Sequence, residues 1–293
     1  MPELPEVETI RRQLAPRLEG RVLSDVRILD YRWTLPGPPG PVEAGLRERR
    51  VERLGRRGKY FDWVLDGDGH LLVHLRMTGT LLYDAPEPPL HTRVRFELDD
   101  GHELLFVDPR RFGTGHLLEG TAARDAYLSA RLGVEPFEPE FTAEVLRDRA
   151  RGRRIAVKSF LLDQRHVAGV GNIYADEALH RAGIHPLRPA GALTLSQLER
   201  LRETVVAALS AGLEAGGATI DDYRDVDGAR GGFQDEFLVH LRAGLPCTTC
   251  GTPVRKLVVG GRGTYVCERC QPRPRIRRAT AGKVRPPGGV KPS

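Results

Sequence analysis

Near its C-terminal end the chain carries Cys247-Thr248-Thr249-Cys250 and, after 16 further residues, Cys267-Glu268-Arg269-Cys270. Two Cys-x₂-Cys pairs at this separation can present four thiolates at tetrahedral reach, which is the arrangement of a structural Zn²⁺ site. Because four thiolates fill the coordination sphere, no position remains for an activated water. The sequence therefore predicts one structural zinc ion, bound by Cys247, Cys250, Cys267 and Cys270.

Two short stretches rich in β-branched residues lie between the cysteine pairs, at residues 254–259 and 264–266, on either side of Gly260-Gly261-Arg262-Gly263. This pattern predicts a β-hairpin with Arg262 at its tip. A lone arginine at a turn is usually only solvated. A metal-stiffened hairpin that carries an arginine outward would instead suit a DNA groove or phosphate.

Composition places the chain in a broad class. With 293 residues, 40% of them hydrophobic, it is long enough for two domains and small additions. No apolar run approaches the ~18 residues of a membrane span, and no secretory signal is visible. All four cysteines fall within residues 247–270, which favours a metal site in a reducing compartment, so an intracellular protein is predicted.

The formal net charge of +6 is misleading as a sign of DNA binding. Seven of the 45 basic residues, and no acidic one, lie in residues 271–293, so residues 1–270 contain 38 basic and 39 acidic residues. A DNA-binding face must therefore arise from where the charges lie rather than from their number. Basic residues cluster at 53–59, 110–111 and 147–158.

The first half of the chain has the pattern of strands behind one helix. An apolar stripe predicts a helix over residues 2–15. Alternating apolar residues around Asp/Gly turns predict two β-hairpins, 61–65 with 70–75 and 94–98 with 102–107. We expect residues 1–135 to form a β-sandwich with this leading helix.

Residues 136–240 have a helical pattern, in which Thr194 and Gln197 predict a capping box. Within this domain, residues 217–236 are rich in Gly and Asp and are expected to form a mobile loop. Two smaller units are expected to follow, a zinc finger at 241–271 and a disordered basic tail at 272–293.

The chain begins Met1-Pro2-Glu3-Leu4-Pro5-Glu6. Removal of Met1 before the small Pro2 is expected, and it would leave a secondary amine with a pKa near ~8. Such an amine can attack a glycosidic or aldehydic carbon and form an iminium. Glu3 and Glu6 share one face of the first helical turn, so one could protonate a leaving group while the other holds substrate. Proline and acids also favour a helix start on structural grounds alone.

Three further stretches carry weaker signals. The loop Asp108-Pro109-Arg110-Arg111-Phe112-Gly113 could enter a duplex, with Arg110 pairing an orphaned base and Phe112 wedging a base step. Met77, in His74-Leu75-Arg76-Met77-Thr78-Gly79, is by itself more typical of a core. Asn172 follows a glycine-bearing stretch and can cap the helix that begins there, beside N–H groups that suit a phosphate.

Together these motifs resemble those of bacterial formamidopyrimidine-DNA glycosylases, of the formamidopyrimidine/endonuclease VIII superfamily. The matching stretches occur in family order, at residues 2–8, 57–60, 74–79, 108–113, 162–175 and the zinc module. The resemblance implies an α+β multidomain fold with an N-terminal β-sandwich, a helix–two-turn–helix domain and a C-terminal four-cysteine zinc-finger β-hairpin. It also implies a cytoplasmic, nucleoid-associated monomer that binds double-stranded DNA containing oxidised bases.

The resemblance further implies excision of oxidised purines, followed by nicking of the strand through β,δ-elimination. Pro2 would be the Schiff-base nucleophile at the sugar C1′, Glu3 would open or protonate the deoxyribose, and Glu6 would hold the lesion nucleotide. Lys59 would bind a phosphate and assist β-elimination. Arg262 would grip phosphate and assist δ-elimination.

The resemblance also implies two sets of DNA-binding residues, because the target base must leave the stack before its sugar can be attacked. The set that would fill the vacated gap consists of Met77, Arg110 and Phe112. The set that would hold the backbone consists of His74, His91, Arg153, Lys158 and Asn172.

The chain departs from the family pattern at three places. Arg76 replaces a glycine of many relatives, and His240-Leu241-Arg242 replaces a common Tyr-Gly-Arg. The loop at 217–236 carries Asp221, Asp222, Asp225 and Asp227, four aspartates whose acidity near DNA the sequence leaves unexplained.

Two alternatives remain at this point. An endonuclease VIII-type enzyme would act on oxidised pyrimidines, but its relatives usually begin Pro-Glu-Gly-Pro-Glu, so Leu4 argues against it. A non-catalytic lesion-binding protein would lack Pro2 or Glu3, and both are present.

Overall fold

The structure is a computed structural model, and it describes residues 1–87, 89–221 and 223–274. Disorder is predicted for the basic tail, residues 272–293. Residues 275–293 of this tail lie outside the described residues. Among the described residues, no helix is both long and apolar enough to cross a membrane.

The N-terminal part of the chain forms the predicted β-sandwich. Its strands are β1 Leu23–Ile28, β2 Val51–Arg57, β3 Tyr60–Leu65, β4 Gly69–His74, β5 Thr80–Tyr83, β6 Thr92–Leu98, β7 Glu103–Val107 and β8 Thr114–Glu119. They pair antiparallel in two four-stranded sheets, in the orders β1-β6-β7-β5 and β2-β3-β4-β8. The two predicted hairpins are confirmed as β3–β4 and β6–β7.

Aromatic side chains join the two sheets into one core. Trp63 of β3 lies with its ring centroid 5.1 Å from that of Phe96 on β6, and both are fully buried. Trp33, from a short 3₁₀ turn, packs on Phe96 and on Phe106. Burial of such large apolar surfaces is the main stabilisation that a sandwich of this size has available.

The leading helix, α1, spans Leu4–Leu18 and is longer than the predicted 2–15. Its stripe of Val7, Ile10 and Leu14 is buried in the sandwich core, whereas Leu4 is buried in the core of the helical domain. The first turn of α1 therefore lies where the two cores meet. This position carries the N-terminal residues to the boundary between the domains.

Six further helices complete the described α structure: α2 Pro39–Leu46, α3 Thr121–Ser129, α4 Ala143–Ala150, α5 Val157–Leu162, α6 Asn172–Arg181 and α7 Leu195–Glu214. The predicted capping box of α7 is confirmed, because Thr194 Oγ1 accepts from the Gln197 N–H at 3.3 Å and Gln197 Oε1 accepts from the Thr194 N–H at 3.1 Å. Buried residues of α4, α5, α6 and α7 form one core.

The C-terminal module is the predicted β-hairpin, with β9 Arg255–Val259 and β10 Arg262–Val266. The turn consists of Gly260 and Gly261 alone, with φ of +56° and +74°, which glycine adopts without cost. Arg262 pairs with Val259 as the first residue of β10. It therefore lies next to the tip, and the prediction that it forms the tip is corrected by one position.

The loop at 217–236 is packed against the body of the protein. Tyr223 and Val226 are buried in the sandwich core. Asp225 accepts a hydrogen bond from Gln13 of α1 at 2.9 Å, and Asp227 pairs with Arg17 at 2.7 Å. These contacts explain two of the four aspartates that the sequence left unexplained, because they anchor the loop to α1.

Candidate active site

A cleft of about 370 Å³ opens where the start of α1, the β2–β3 turn, the start of α6 and the zinc hairpin meet. Nine of the predicted site residues line it: Pro2, Glu3, Glu6, Lys59, His74, Met77, Arg110, Asn172 and Arg262. Met1 also lines the cleft and is 46% exposed, while Pro2 beside it is buried. Residues far apart in the sequence are thus collected around the N-terminal proline.

Glu3 is held at the N-terminus of α6. Its Oε1 accepts a hydrogen bond from the Ile173 N–H at 3.0 Å, and its side chain is almost fully buried. A helix N-terminus favours a carboxylate because unpaired N–H groups and the helix dipole both point at it. A Cβ at Gly171 would clash with the Glu3 carboxyl group, so only glycine leaves room for this approach.

The predicted capping role of Asn172 is wrong. Asn172 is the first residue of α6, and its side-chain amide donates to the Gly263 carbonyl of the hairpin at 3.0 Å. The carboxylate of Glu3 satisfies the helix N-terminus from another domain. Asn172 instead joins α6 to the strand that carries Arg262.

Glu6 links three segments through its two carboxylate oxygens. Oε2 accepts from the Glu3 N–H at 2.7 Å, while Oε1 accepts from the Tyr174 hydroxyl at 2.7 Å and from the Ala218 N–H at 2.8 Å. Burial, and then the neighbouring charge of Glu3, raise the pKa of Glu6 against the lowering effect of these hydrogen bonds. Sequence reasoning missed Tyr174, since a tyrosine in a buried helix carries no signal of its partner.

Lys59 lies in the tight turn between β2 and β3, next to Gly58 with φ of +58°. Its side chain is only 3% exposed, and burial lowers the pKa of its amine, while the charges of Glu3 and Glu6 raise it. The Glu135 carboxylate anchors the turn by accepting from the Gly58 N–H and pairing with Arg56 at 3.1 Å. The cleft therefore contains a compact amine opposite two buried carboxyl groups.

Asp108 organises the two loops that border the mouth of the cleft. Its Oδ2 accepts from the N–H groups of Phe112 and Gly113 at 2.8 and 2.7 Å, and its Oδ1 accepts from the Thr78 hydroxyl at 2.5 Å. Phe112 is 52% exposed, and the Arg110 guanidinium lies 5.0 Å from its ring centroid. The sequence signal for this turn was Asp before Pro-Arg, which suits an Asx turn, but the link to Thr78 was not predictable.

Four predicted DNA contacts do not line the cleft: His91, Phe112, Arg153 and Lys158. His91 has its carbonyl bonded to the Asp108 N–H at 3.0 Å, so it adjoins the loop of Phe112. Arg153 is exposed after α4, where its Nε donates to the Arg149 carbonyl at 2.7 Å. For His91, Phe112 and Arg153, a DNA contact remains a prediction.

The structure corrects the prediction that Lys158 contacts the DNA backbone. Its side chain is 0% exposed and its Nζ lies 2.7 Å from Asp176 Oδ1. The amine also donates to the Thr264 hydroxyl at 2.8 Å and to the Gly263 carbonyl at 3.0 Å. A phosphate cannot reach an amine that is enclosed in this way. Lys158 therefore ties the helical domain to the hairpin instead of contacting DNA.

The four cysteines come together as the sequence predicts. Their Sγ atoms all lie within 4.8 Å of one another, with 3.9 Å between Cys247 and Cys270 and 3.4 Å between Cys250 and Cys267. Zn–S bonds of ~2.3 Å place tetrahedral thiolates about 3.8 Å apart, so the donor set fits a structural zinc ion. His180 of α6 lies 3.4 Å from the Cys247 sulfur and brings the module against the helical domain.

A β-sandwich, a helical domain and a zinc hairpin around one cleft of carboxyl groups and cations define a class of DNA-repair enzymes that carry a zinc finger. Three family models match the chain in order: the formamidopyrimidine-DNA glycosylase N-terminal domain at 1–115, the formamidopyrimidine-DNA glycosylase H2TH domain at 132–224, and the zinc finger found in FPG and IleRS at 244–273. The chain belongs to the formamidopyrimidine-DNA glycosylase family.

Comparisons with individual relatives and solved structures support the same family. The chain is 48% identical over 276 residues to formamidopyrimidine-DNA glycosylase of Symbiobacterium thermophilum, covering 94% of this chain and 90% of that protein. It is 45% identical over 277 residues to the protein of that name from Geobacillus kaustophilus, covering 92% and 100%. The crystal structure of MutM (FPG) from Thermus thermophilus matches with a TM-score of 0.83 at 42% identity, covering 92% and 98%. The Lactococcus lactis FPG in complex with FAPY-dG-containing DNA matches with a TM-score of 0.85 at 32% identity, covering 92% and 100%.

Proposed function

We propose that the protein is a DNA glycosylase that excises oxidised purines through Pro2 and then nicks the strand as an AP lyase. The observation that carries this proposal is the environment of Pro2, which is buried and lines the same cleft as the fixed carboxylate of Glu3 and the amine of Lys59. Removal of Met1 frees the ring nitrogen in the place where a substrate would enter. Lactococcus lactis FPG has been crystallised with Fapy-dG DNA and with abasic-site DNA.

In the first stage the Pro2 nitrogen forms a bond to C1′ of an extruded nucleotide, and the bond from C1′ to the damaged base breaks. The Glu3 carboxylate takes the proton from the Pro2 nitrogen and passes it to the ring oxygen as the sugar opens, which leaves an iminium between Pro2 and C1′, while the departing base takes a proton from water. Glu6 holds the first turn of α1 in register with α6 during this step. Its contacts with Tyr174 and Ala218 support that role.

In the second stage the iminium makes the C2′ proton acidic, so that loss of this proton expels the 3′ phosphate, and a second elimination expels the 5′ phosphate. Lys59 and Arg262 both line the cleft and supply positive charge to the departing phosphates. Met77, Arg110 and Phe112 fill the space that the extruded nucleotide leaves in the duplex. The bond from Asp108 to Thr78 keeps their two loops together.

An oxidised pyrimidine is the second candidate substrate. A structure of wild-type Lactococcus lactis FPG contains DNA with an oxidised pyrimidine, and it matches with a TM-score of 0.84 at 32% identity. Excision rates on matched duplexes that differ only in the lesion, 8-oxoguanine or an oxidised pyrimidine, decide between them, and we expect the purine to react faster.

Borohydride trapping on an 8-oxoguanine duplex tests the covalent step. The reducing agent converts the iminium into a stable amine, so zinc-loaded protein should become crosslinked to the DNA. Mass spectrometry of the adduct should place the bond on Pro2, with Met1 absent. An active preparation that retains Met1, or one that excises the base without forming any adduct, would contradict the proposal.

A further inference from the structure

One row of polar side chains on α6 faces the zinc module. Asn172 and Asp176 both bond to the backbone of β10, at 3.0 and 3.3 Å, and His180 Nε2 lies 3.4 Å from the Cys247 sulfur. These three positions are four residues apart, a spacing that places side chains on one face of a helix. His180 is therefore the last member of a row that joins α6 to the module, and it is the member that contacts a zinc ligand.

His180 lies outside the coordination sphere of the metal. Within the described ranges, the group whose ligand atoms all lie within 4.8 Å of one another consists of the four cysteines and includes no histidine. Four thiolates already complete a tetrahedral zinc site. The imidazole is 5% exposed and contacts a single thiolate from outside this set.

The two ring nitrogens of His180 have different surroundings. Nδ1 is buried and has no hydrogen-bond partner in the described part of the chain, whereas Nε2 faces the Cys247 sulfur. A proton on Nδ1 would leave a buried donor unpaired, and the neutral ring would then direct the lone pair of Nε2 at a thiolate. A proton on Nε2 alone avoids both costs. The surroundings therefore select the neutral tautomer that donates to sulfur.

The Cys247 thiolate has a physical need for such a donor. A zinc ion with four thiolates carries a net negative charge, and Cys247 is only 3% exposed, so water offers its sulfur little compensation. Hydrogen bonds from outside the coordination sphere stabilise buried ligands of this kind and fix their direction. His180 supplies one from a helix that is itself buried in the core of the helical domain.

We infer that His180 is a positioning residue of the zinc centre, which donates its Nε2–H to the Cys247 thiolate, retains the metal and fixes the zinc module on α6. The first turn of the same helix receives the Glu3 carboxylate through the Ile173 N–H. The row on α6 thus sets the strand that carries Arg262 relative to Glu3. This inference concerns the metal site and does not depend on the chemistry proposed for Pro2.

NMR of the full-length wild-type protein tests the hydrogen bond directly. The nitrogen shifts of the His180 ring should show Nε2 protonated and Nδ1 bare. With zinc replaced by an NMR-active isotope of cadmium, the metal should show a scalar coupling to the Nε2 proton through the Cys247 sulfur, and its shift should be that of four sulfur ligands. A bare Nε2, or a cadmium shift that requires a nitrogen ligand, would overturn the inference.

The rate at which zinc passes to an excess of a chromogenic chelator tests the consequence. His180→Phe retains a ring of similar volume without the donor and should release zinc about tenfold faster. His180→Gln places an amide N–H at similar reach and should recover part of the loss. The matched control is His166→Phe, at another buried histidine of the helical domain, which is stacked on Phe160 at 4.6 Å, and it should release zinc at the wild-type rate.

Two results of the release experiment contradict the inference. One is wild-type release from His180→Phe, and the other is equally fast release from His180→Phe and His180→Gln, which would assign the effect to packing of the ring. Should His180→Phe fail to fold, the NMR of the wild-type protein decides by itself. A protein that forms no borohydride adduct would contradict the role of Pro2 and would leave all these measurements possible.

Discussion

The zinc hairpin and the N-terminal segment border the same cleft, but they obtain their geometry in different ways. The four cysteines lie within residues 247–270, and two-residue spacers place each pair at one metal ion. The carboxylates of Glu3 and Glu6 depend on partners that are distant in the sequence. Ile173 is 170 residues from Glu3, and Ala218 is 212 residues from Glu6.

This difference shows which part of the site is robust and which part depends on the whole fold. Metal–thiolate bonds specify the hairpin from within. The two carboxyl groups are buried, and burial is costly unless every oxygen finds a donor. Apart from the Glu3 N–H, which donates to Glu6, their donors belong to the helical domain and the following loop, so any change in domain packing reaches the chemistry.

The largest effect should come from Cys267→Ser, which removes one of the four zinc ligands. We expect loss of the bound zinc and unfolding of the hairpin, together with loss of most of the affinity for lesion DNA, since Arg262 is no longer positioned. Zinc content and hydrogen exchange of residues 255–266 measure this. Thr249→Ala, at a neighbouring position that is not a ligand, should retain one zinc per chain. If Cys267→Ser still bound one zinc ion per chain, the claim that the four thiolates specify the hairpin would be contradicted.

Pro2→Gly changes the proposed nucleophile and leaves both the zinc hairpin and the buried carboxyl groups of Glu3 and Glu6 in place. Base excision should fall by about 100-fold, because a flexible primary amine replaces a ring nitrogen whose direction is set by the chain. Lesion-DNA affinity should stay nearly unchanged. The matched control is Pro5→Ala, which alters another proline of the same helical turn and should still form the borohydride adduct. A large loss of affinity in Pro2→Gly would show that Pro2 binds substrate instead.

Lys158→Met tests the joint between the helical domain and the hairpin. It leaves the buried Asp176 without its ion-pair partner, so the free energy of unfolding should fall by about 3–5 kcal/mol in urea titrations. The double variant Lys158→Met with Asp176→Leu should recover part of this loss. If Lys158 bound DNA, as the sequence suggested, the single variant would instead keep its stability and reduce the salt slope of binding.

The smallest effect concerns the pH dependence of stability. The pKa of Glu6 is raised in the folded protein, so the unfolded chain releases this proton first, and stability falls as pH rises above the ordinary value of 4.5. Glu6→Gln should remove this fall, which is of order 1 kcal/mol per pKa unit.

Glu8, on the same helix, is the matched control with the opposite sign. Hydrogen bonds and ion pairs with Arg11, Arg12 and Arg56 outweigh its burial and lower its pKa to about 2. The stabilisation it provides is therefore present above its ordinary value and is lost as pH falls toward 2. Urea unfolding at several pH values should show that Glu6→Gln and Glu8→Gln change the curve in opposite directions. Parallel changes would contradict the burial argument for Glu6.

Local sequence patterns were sufficient to predict much of the architecture. The alternation in β3–β4 and β6–β7, the capping box of α7 and the cysteine spacing each involve residues close in the sequence, where period and turn chemistry are decided. Resemblance to a family then located the cleft, since nine of its implied residues line it. The family and the structural zinc are confirmed.

Only the tertiary structure decided how individual side chains are used. Asn172 and Lys158 both lie in motifs that suggested DNA contact, yet one donates to the hairpin and the other is enclosed by it. Glu3 caps α6 although the sequence offered Asn172 for that role. The physical reason is that burial and hydrogen-bond partnership depend on which segments pack together. That packing joins residues 91 to 170 positions apart, beyond the reach of any periodicity along the chain.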